Sequence, residues 1–329
     1  MSTAVAAPPH SGRAGPPPAG RGPRLRNRVW LLVLPALLWV VVLHVLPLVT
    51  MVQESFLDDA GAVTLGNYTR LFENSGYLAV MWRTLGYAAA VALICAVLGF
   101  PLAYAIARSR PRVRVLLTIG VISPFVISSL VRTFSWQVLL ARNGPLNSLL
   151  ETVGFAPVSL LFTPAAVLIG LVHLSLPLMV LPIVNTLRSM DWAVVRSARS
   201  MGAPWTTIMT RVVVPIALPG IEVGLVLVFV FAGAGFVTPY LLGGQDGAML
   251  GVTIEAAVNR FADWGFAAAA GVVMTTGVVV ALALYRWLMA GRWSGWRPGR
   301  PWTPAGGRGG WPARTAPGRP PPSVAPCTV

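Results

Sequence analysis

The 329-residue sequence has no lysine, ten acidic residues, three histidines and two cysteines. Each scarcity removes a kind of chemistry. A G-x-x-x-x-G-K-[ST] loop needs its lysine to reach the nucleotide phosphates, so "GGQDG" at 243–247 is no such loop and the chain carries none. Any ATP that drives this protein is held by another chain, and no cofactor is expected here. Cys95 lies in an apolar run and Cys327 at the tail, which gives neither a disulfide framework nor a metal cluster. A membrane-embedded enzyme would need His, Asp or Glu clustered at one depth, and the few present are scattered. His44 and His173 stand alone on apolar runs, where a packed polar contact is the plainer reading than a ligand.

Charge as a whole is scarce. Charged residues make up 11% of the chain, against about 25% in a soluble domain. With 55% hydrophobic residues and a mean hydropathy of +0.71, the sequence reads as an all-α integral membrane protein. The net charge of +15 comes from 25 arginines. In so apolar a chain these report topology and not a nucleic-acid partner.

A spanning helix takes about 20 mostly apolar residues. Six segments qualify, at about 29–50, 84–107, 114–134, 164–187, 218–241 and 265–288. The first is longer than a signal-peptide core and has no small-residue cleavage site after it. Residues 1–28 and 289–329 are basic and rich in Pro and Gly, and are expected to be disordered tails able to touch anionic lipid. With the N-terminus placed inside, twenty arginines fall in inside segments and five outside, while eight of the ten acids fall outside. The positive-inside rule then puts both termini in the cytoplasm.

The second inside loop, "DWAVVRSARSMGAPWTTIMTRVVVPIALPG" (191–220), is the most informative stretch. Asp191 can cap a short helix. Ala193, Ser197 and Ser200 give that helix a bare face, and Gly202 can take the left-handed conformation that ends it. Pro204 suits the first turn of a second helix. There Trp205, Ile208, Met209, Val212 and Val213 recur at helical spacing, opposite Thr206, Thr207, Thr210 and Arg211. That pattern predicts an amphipathic helix in the membrane interface. Pro215 and Pro219 are expected to redirect the chain into the fifth span. An ordinary interfacial loop fits the same residues.

The stretch resembles the coupling loop of permease subunits of binding-protein-dependent ABC importers. That loop reads Glu-Ala-Ala, three residues, Gly, nine residues, then Ile-x-Leu-Pro. Here Arg196-Ser197-Ala198 stands in first place, Gly202 and Ala203 follow, and Val212 to Pro215 close the pattern. Arg196 replaces the usual acid and Ser197 an alanine, so docking here would rest on shape and not on that acid's ion pair. A literal Glu255-Ala256-Ala257 has Phe261 where the glycine belongs, and lies outside. The stretches 124–150, 171–183, 236–244 and 263–270 are similar to the spermidine/putrescine type of permease, a branch that includes phosphonate, opine and ferric-iron importers. The resemblance covers nearly all of 29–288. It implies a six-span type I permease in the inner membrane, not itself an enzyme. The implied partners are a second permease, two ATP-binding subunits that the loop engages, and an extracytoplasmic solute-binding protein. A secondary transporter is the competing class, but no inverted repeat is evident and Glu222, near the inner end of the fifth span, is a single shallow acid.

Two further places are candidate sites. Arg132, Thr133, Phe134 and Trp136, at the outer end of the third span, read either as a gate or binding-protein contact or as an aromatic belt with a snorkelling arginine. Residues 250–264, with Glu255, read as an external amphipathic helix that docks the binding protein or packs at the interface.

Overall fold

The structure, a computed structural model, describes residues 24–58 and 61–293. The tails expected at 1–28 and 289–329 lie outside that range, except that residues 24–28 and 289–293 continue the first and last helices. Among the described residues there are helices, connecting turns and one isolated bridge between Leu57 and Val63, and no strand.

The chain opens with α1 (Arg24–Glu54) and a short α2 (Gly66–Glu73). Helix α3 (Ser75–Arg108) starts where the Asn74 side chain accepts from the Gly76 N–H. Its 34 residues extend about 51 Å, longer than the roughly 30 Å hydrocarbon layer, so its ends reach beyond it. Helix α4 (Pro111–Val126) begins on a proline, whose missing N–H costs nothing in a first turn. It is followed by α5 (Ser129–Leu140) and α6 (Pro145–Thr152). Helix α7 (Pro164–Ser189) starts at the Thr163 cap. Then come α8 (Ala193–Ser200), α9 (Trp205–Ile208), a π-turn at Met209–Val213 and α10 (Val214–Gly233). Short α11 (Val237–Leu242) and α12 (Leu250–Asn259) lead to α13 (Trp264–Trp293).

Among the described residues five helices are long and apolar enough to cross a membrane, and a bent pair makes up to six. Two expected spans differ from what is found. Over 114–134 the helix stops at Val126, and α4 meets the next helical stretch at 98°. A helix end leaves its last carbonyls without partners. Here the Arg132 guanidinium supplies the missing donors, bonding the carbonyls of Pro124 and Ile127. In the fifth span, Trp205–Gly233 forms one continuous helical segment, so the amphipathic run at 205–213 belongs to the span itself. Pro215 lacks an N–H and its ring crowds the carbonyl four residues back. The π-turn widens the helix just before it, with the Val214 N–H donating to the Met209 carbonyl five residues earlier. The chain is accommodated there and not redirected.

Helices α3, α7 and α10 pack against one another and form the main core. Met179 of α7 is fully buried at their junction. A Cβ built on Gly99 of α3 would lie 2.9 Å from its Cγ, and one on Gly224 of α10 only 2.5 Å from its Sδ. Gly220 is as tight, 2.8 Å from the Pro182 carbonyl oxygen. Lipid gives no hydrophobic drive to bring helices together, so close approach at small residues is what membrane packing relies on.

The connections gather at two ends. At one end Arg70 pairs with Asp263 at 2.6 Å, and the Leu250 N–H donates to the Thr84 hydroxyl at 2.8 Å. At the other, α8 lies beside the end of α3 and the start of α4.

Candidate functional site

Helix α8 begins as expected, with the Asp191 carboxylate accepting from the Ala193 N–H at 2.8 Å. Val195 is buried, while Trp192, Ala198 and Ala203 lean half-buried on the main core. Val194, Arg196, Ser197, Arg199, Ser200 and Met201 are exposed. Within the Arg196-Ser197-Ala198 triplet, then, two residues face outward and Ala198 faces in. The bare face is realised at Ser197 and Ser200, whose hydroxyls turn back onto the carbonyls of Ala193 (2.6 Å) and Arg196 (3.2 Å). Ala193 itself is half-buried. With the hydroxyls satisfied internally, the patch at Ser197 and Ser200 is small and shallow, between the exposed Arg196 and Arg199.

The helix ends in a Schellman turn. The Ala203 N–H reaches the Ala198 carbonyl at 3.1 Å and the Gly202 N–H the Arg199 carbonyl at 2.9 Å. Gly202 has φ +78°, a conformation other residues hold only at a cost of roughly 1–3 kcal/mol. A Cβ built there meets nothing within 4 Å, so the requirement is conformational and the space beside Gly202 is open. Beyond it, Ile208 and Val213 are buried in the core that holds α3, α7 and α10. Val212 is half-buried on it, and Pro215 sits in the first turn of α10. Packed side chains and a continuous helix thus connect the α8 region to a span.

Beside α8 is a cavity of about 340 Å³. Ala107, Arg108 and Arg114 form one wall, and Trp192, Val195, Arg196 and Arg199 the other. No acidic residue lines it. The guanidinium of Arg108 bonds the Tyr104 hydroxyl at 2.9 Å and lies 5.9 Å from the centre of the Trp192 ring. That of Arg199 lies 5.1 Å from the Trp205 ring, within cation–π range. Arg114 donates through Nη2 to the carbonyls of Ala107 and Ser109, and its buried Nε has no partner.

The other candidates have different surroundings. Arg132 is buried, its guanidinium on the carbonyls of Pro124 and Ile127. Thr133 is buried as well, its hydroxyl on the Ser129 carbonyl. Trp136 donates from Nε1 to His173 Nδ1 at 3.1 Å, so His173 is a packed polar contact. His44 bonds within its own helix, to the Val40 carbonyl. Glu255 lies on α12, with one carboxylate oxygen accepting from Asn259 and the other buried without a partner. Phe261, within the 250–264 stretch expected to be helical, lies past the end of α12 and is 74% exposed. Glu222 is half-buried in α10.

The cavity was not legible in the sequence. Arg108 and Arg114 read only as topology markers, because no local pattern tells that 107–114 folds onto 192–199. Met179 likewise had no signal beyond its apolar surroundings.

Multiple apolar helices packed through glycines, with a short capped helix at one end, define a multi-span membrane protein. Residues 98–293 match the family described as binding-protein-dependent transport system inner membrane component, and the chain belongs to that family. It is 35% identical over 255 residues to the spermidine/putrescine transport system permease protein PotB of Escherichia coli K12, covering 75% of this chain and 92% of that protein. The Haemophilus influenzae protein of the same name is 32% identical over 262 residues, 77% of this chain and 91% of that one. Among solved structures, a chain of a bacterial alginate ABC transporter, in complex with its pentasaccharide-bound periplasmic protein, superposes with a TM-score of 0.69. It shares 21% identity and covers 81% of this chain and 96% of that one, which fixes the fold alone. The chain is a multi-pass inner-membrane permease subunit of a binding-protein-dependent ABC importer.

Proposed function

We propose that this subunit imports a small solute of the polyamine class, with α8 as the element through which ATP-binding subunits drive it. The reading is supported above all by α8 itself: a small-residue patch at Ser197 and Ser200, a positive-φ stop at Gly202 with open space beside it, and a packed connection to α10. ATP is bound and hydrolysed by the partner subunits, and this chain contributes no catalytic residue. Both termini and α8 lie in the cytoplasm, as the arginine distribution requires. A second permease completes the pathway, and an extracytoplasmic binding protein delivers solute at the end that carries α12 and Glu255. The names of the relatives support the solute class. Asp191, Arg196, Ser197, Ala198, Gly202, Ala203, Val212 and Pro215 form the coupling segment. Nucleotide and loaded binding protein each favour one of two states of the spans, and without that difference neither could drive transport.

The test is uptake of labelled spermidine by the assembled transporter in proteoliposomes with its cognate binding protein. Gly202→Trp should abolish uptake and the ATPase stimulation that the binding protein produces, with membrane insertion unchanged. Normal uptake by that variant overturns the role of α8. Failure of the wild-type assembly to import spermidine, while importing a phosphonate, an opine or chelated iron, overturns the solute class alone.

A further inference from the structure

We infer that the arginine cavity beside α8 is a binding site for the phosphate headgroup of an anionic phospholipid. Arg108, Arg114, Arg196 and Arg199 line one space of about 340 Å³ with no acid in its lining. Like charges crowded into a concave wall raise a positive potential that an anion relieves. Arg114 also has a buried Nε–H without an acceptor. A guanidinium offers several donors in one plane and matches phosphate oxygens better than any other side chain.

The position favours a lipid over a protein carboxylate. One wall is the end of α3 and the first turn of α4, where two spans leave the hydrocarbon layer. Val113, Val115 and Leu116, which flank Arg114 in α4, are 46%, 58% and 70% exposed and give acyl chains an apolar surface next to the cavity. Trp192 lines the other wall and Tyr104 stands at its edge, 5.9 Å between ring centres, the amphipathic rings expected at headgroup depth. Basic pockets between spans are a recognised way of holding anionic headgroups. Because Arg196 and Arg199 belong to α8, a bound headgroup would tie the coupling helix to the α3–α4 corner. Transport would then depend on lipid composition.

The experiment uses the assembled transporter in nanodiscs of mixed phosphatidylglycerol and phosphatidylcholine, with retained lipid read by native mass spectrometry. Phosphatidylglycerol should be retained in preference to phosphatidylcholine. The double variant Arg196→Gln/Arg199→Gln changes two exposed side chains, so it tests the site without disturbing buried packing. It should cut the preference about 30-fold, which is ~1 kcal/mol per arginine taken at 1.4 kcal/mol per tenfold. Arg188→Gln, an exposed arginine outside the lining, should leave the preference intact. Equal retention of the two lipids, or a preference unchanged in the double variant, overturns the site. Displacement by millimolar inorganic phosphate overturns the lipid as the source of the phosphate group. Absence of phosphatidylglycerol from the assembly, with the arginines covered by an acidic surface of an ATP-binding subunit, overturns it in favour of the protein partner.

Discussion

Single residues carry most of the local logic. Asp191 holds the first turn of α8 through one hydrogen bond to the Ala193 N–H. Asp191→Ala should destabilise that helix by about 1 kcal/mol, read as faster amide exchange across 193–200 while the spans stay protected. Gly224 is constrained differently, since a methyl group on its Cα would come within 2.5 Å of Met179 Sδ. Gly224→Val should separate α7 from α10 and lower the yield of folded protein, and the partial rescue by Met179→Ala would identify the clash as the cause. Asp263 serves twice, accepting from the Phe266 N–H at 2.9 Å to cap α13 and from Arg70 at 2.6 Å. The hydrogen bond to Asp263 raises the Arg70 pKa against a smaller opposing cost of burial. A raised cationic pKa stabilises below the unfolded value and is lost only as pH climbs through the folded one. Here that lies above the ordinary arginine value, so the pair should be insensitive to alkaline pH in any working range. Arg70 is 55% exposed, so the pair itself is worth less than about 1 kcal/mol and most of the loss in Asp263→Ala should be the cap.

Among the helices, the sequence told most where a single residue type acts locally. The Asp191 cap and the Gly202 stop both follow from spacing and backbone preference. What it concealed depended on distant partners. Pro124 and the Ser128-Ser129 pair permit a break there but do not specify a 98° bend, because its corner carbonyls are held by Arg132 from the following helix. The amphipathic run at 205–213 reads as interfacial because hydropathy cannot tell a lipid-facing stripe from one packed on α3 and α7. The π-turn gives this scale its prediction. Deleting both Thr210 and Arg211 removes one residue more than the wide turn holds in excess and rotates everything before it by about 100° relative to α10. The apolar stripe of α9 would leave the core, and uptake should fall to background with the protein still inserted. Wild-type uptake would mean that the segment passes no motion to α10.

At the largest scale, α3, α7 and α10 pack closely through Gly99, Gly220 and Gly224 into a stiff centre. On the proposed function, a push on α8 should then move helices as bodies. The positive-inside count places α8 on one face of the membrane from arginine positions alone, and the structure puts it opposite the Arg70–Asp263 end. The most direct measurement is site-specific cross-linking in the assembled transporter from a cysteine introduced at exposed Ser197, with buried Cys95 left in place and Cys327 replaced. The account predicts a cross-link to the ATP-binding subunit, formed in inside-out vesicles and changed in yield when nucleotide is bound. A Ser197→Cys thiol that is labelled only from the outer face, or that never reaches that subunit in a complex competent for uptake, would contradict it.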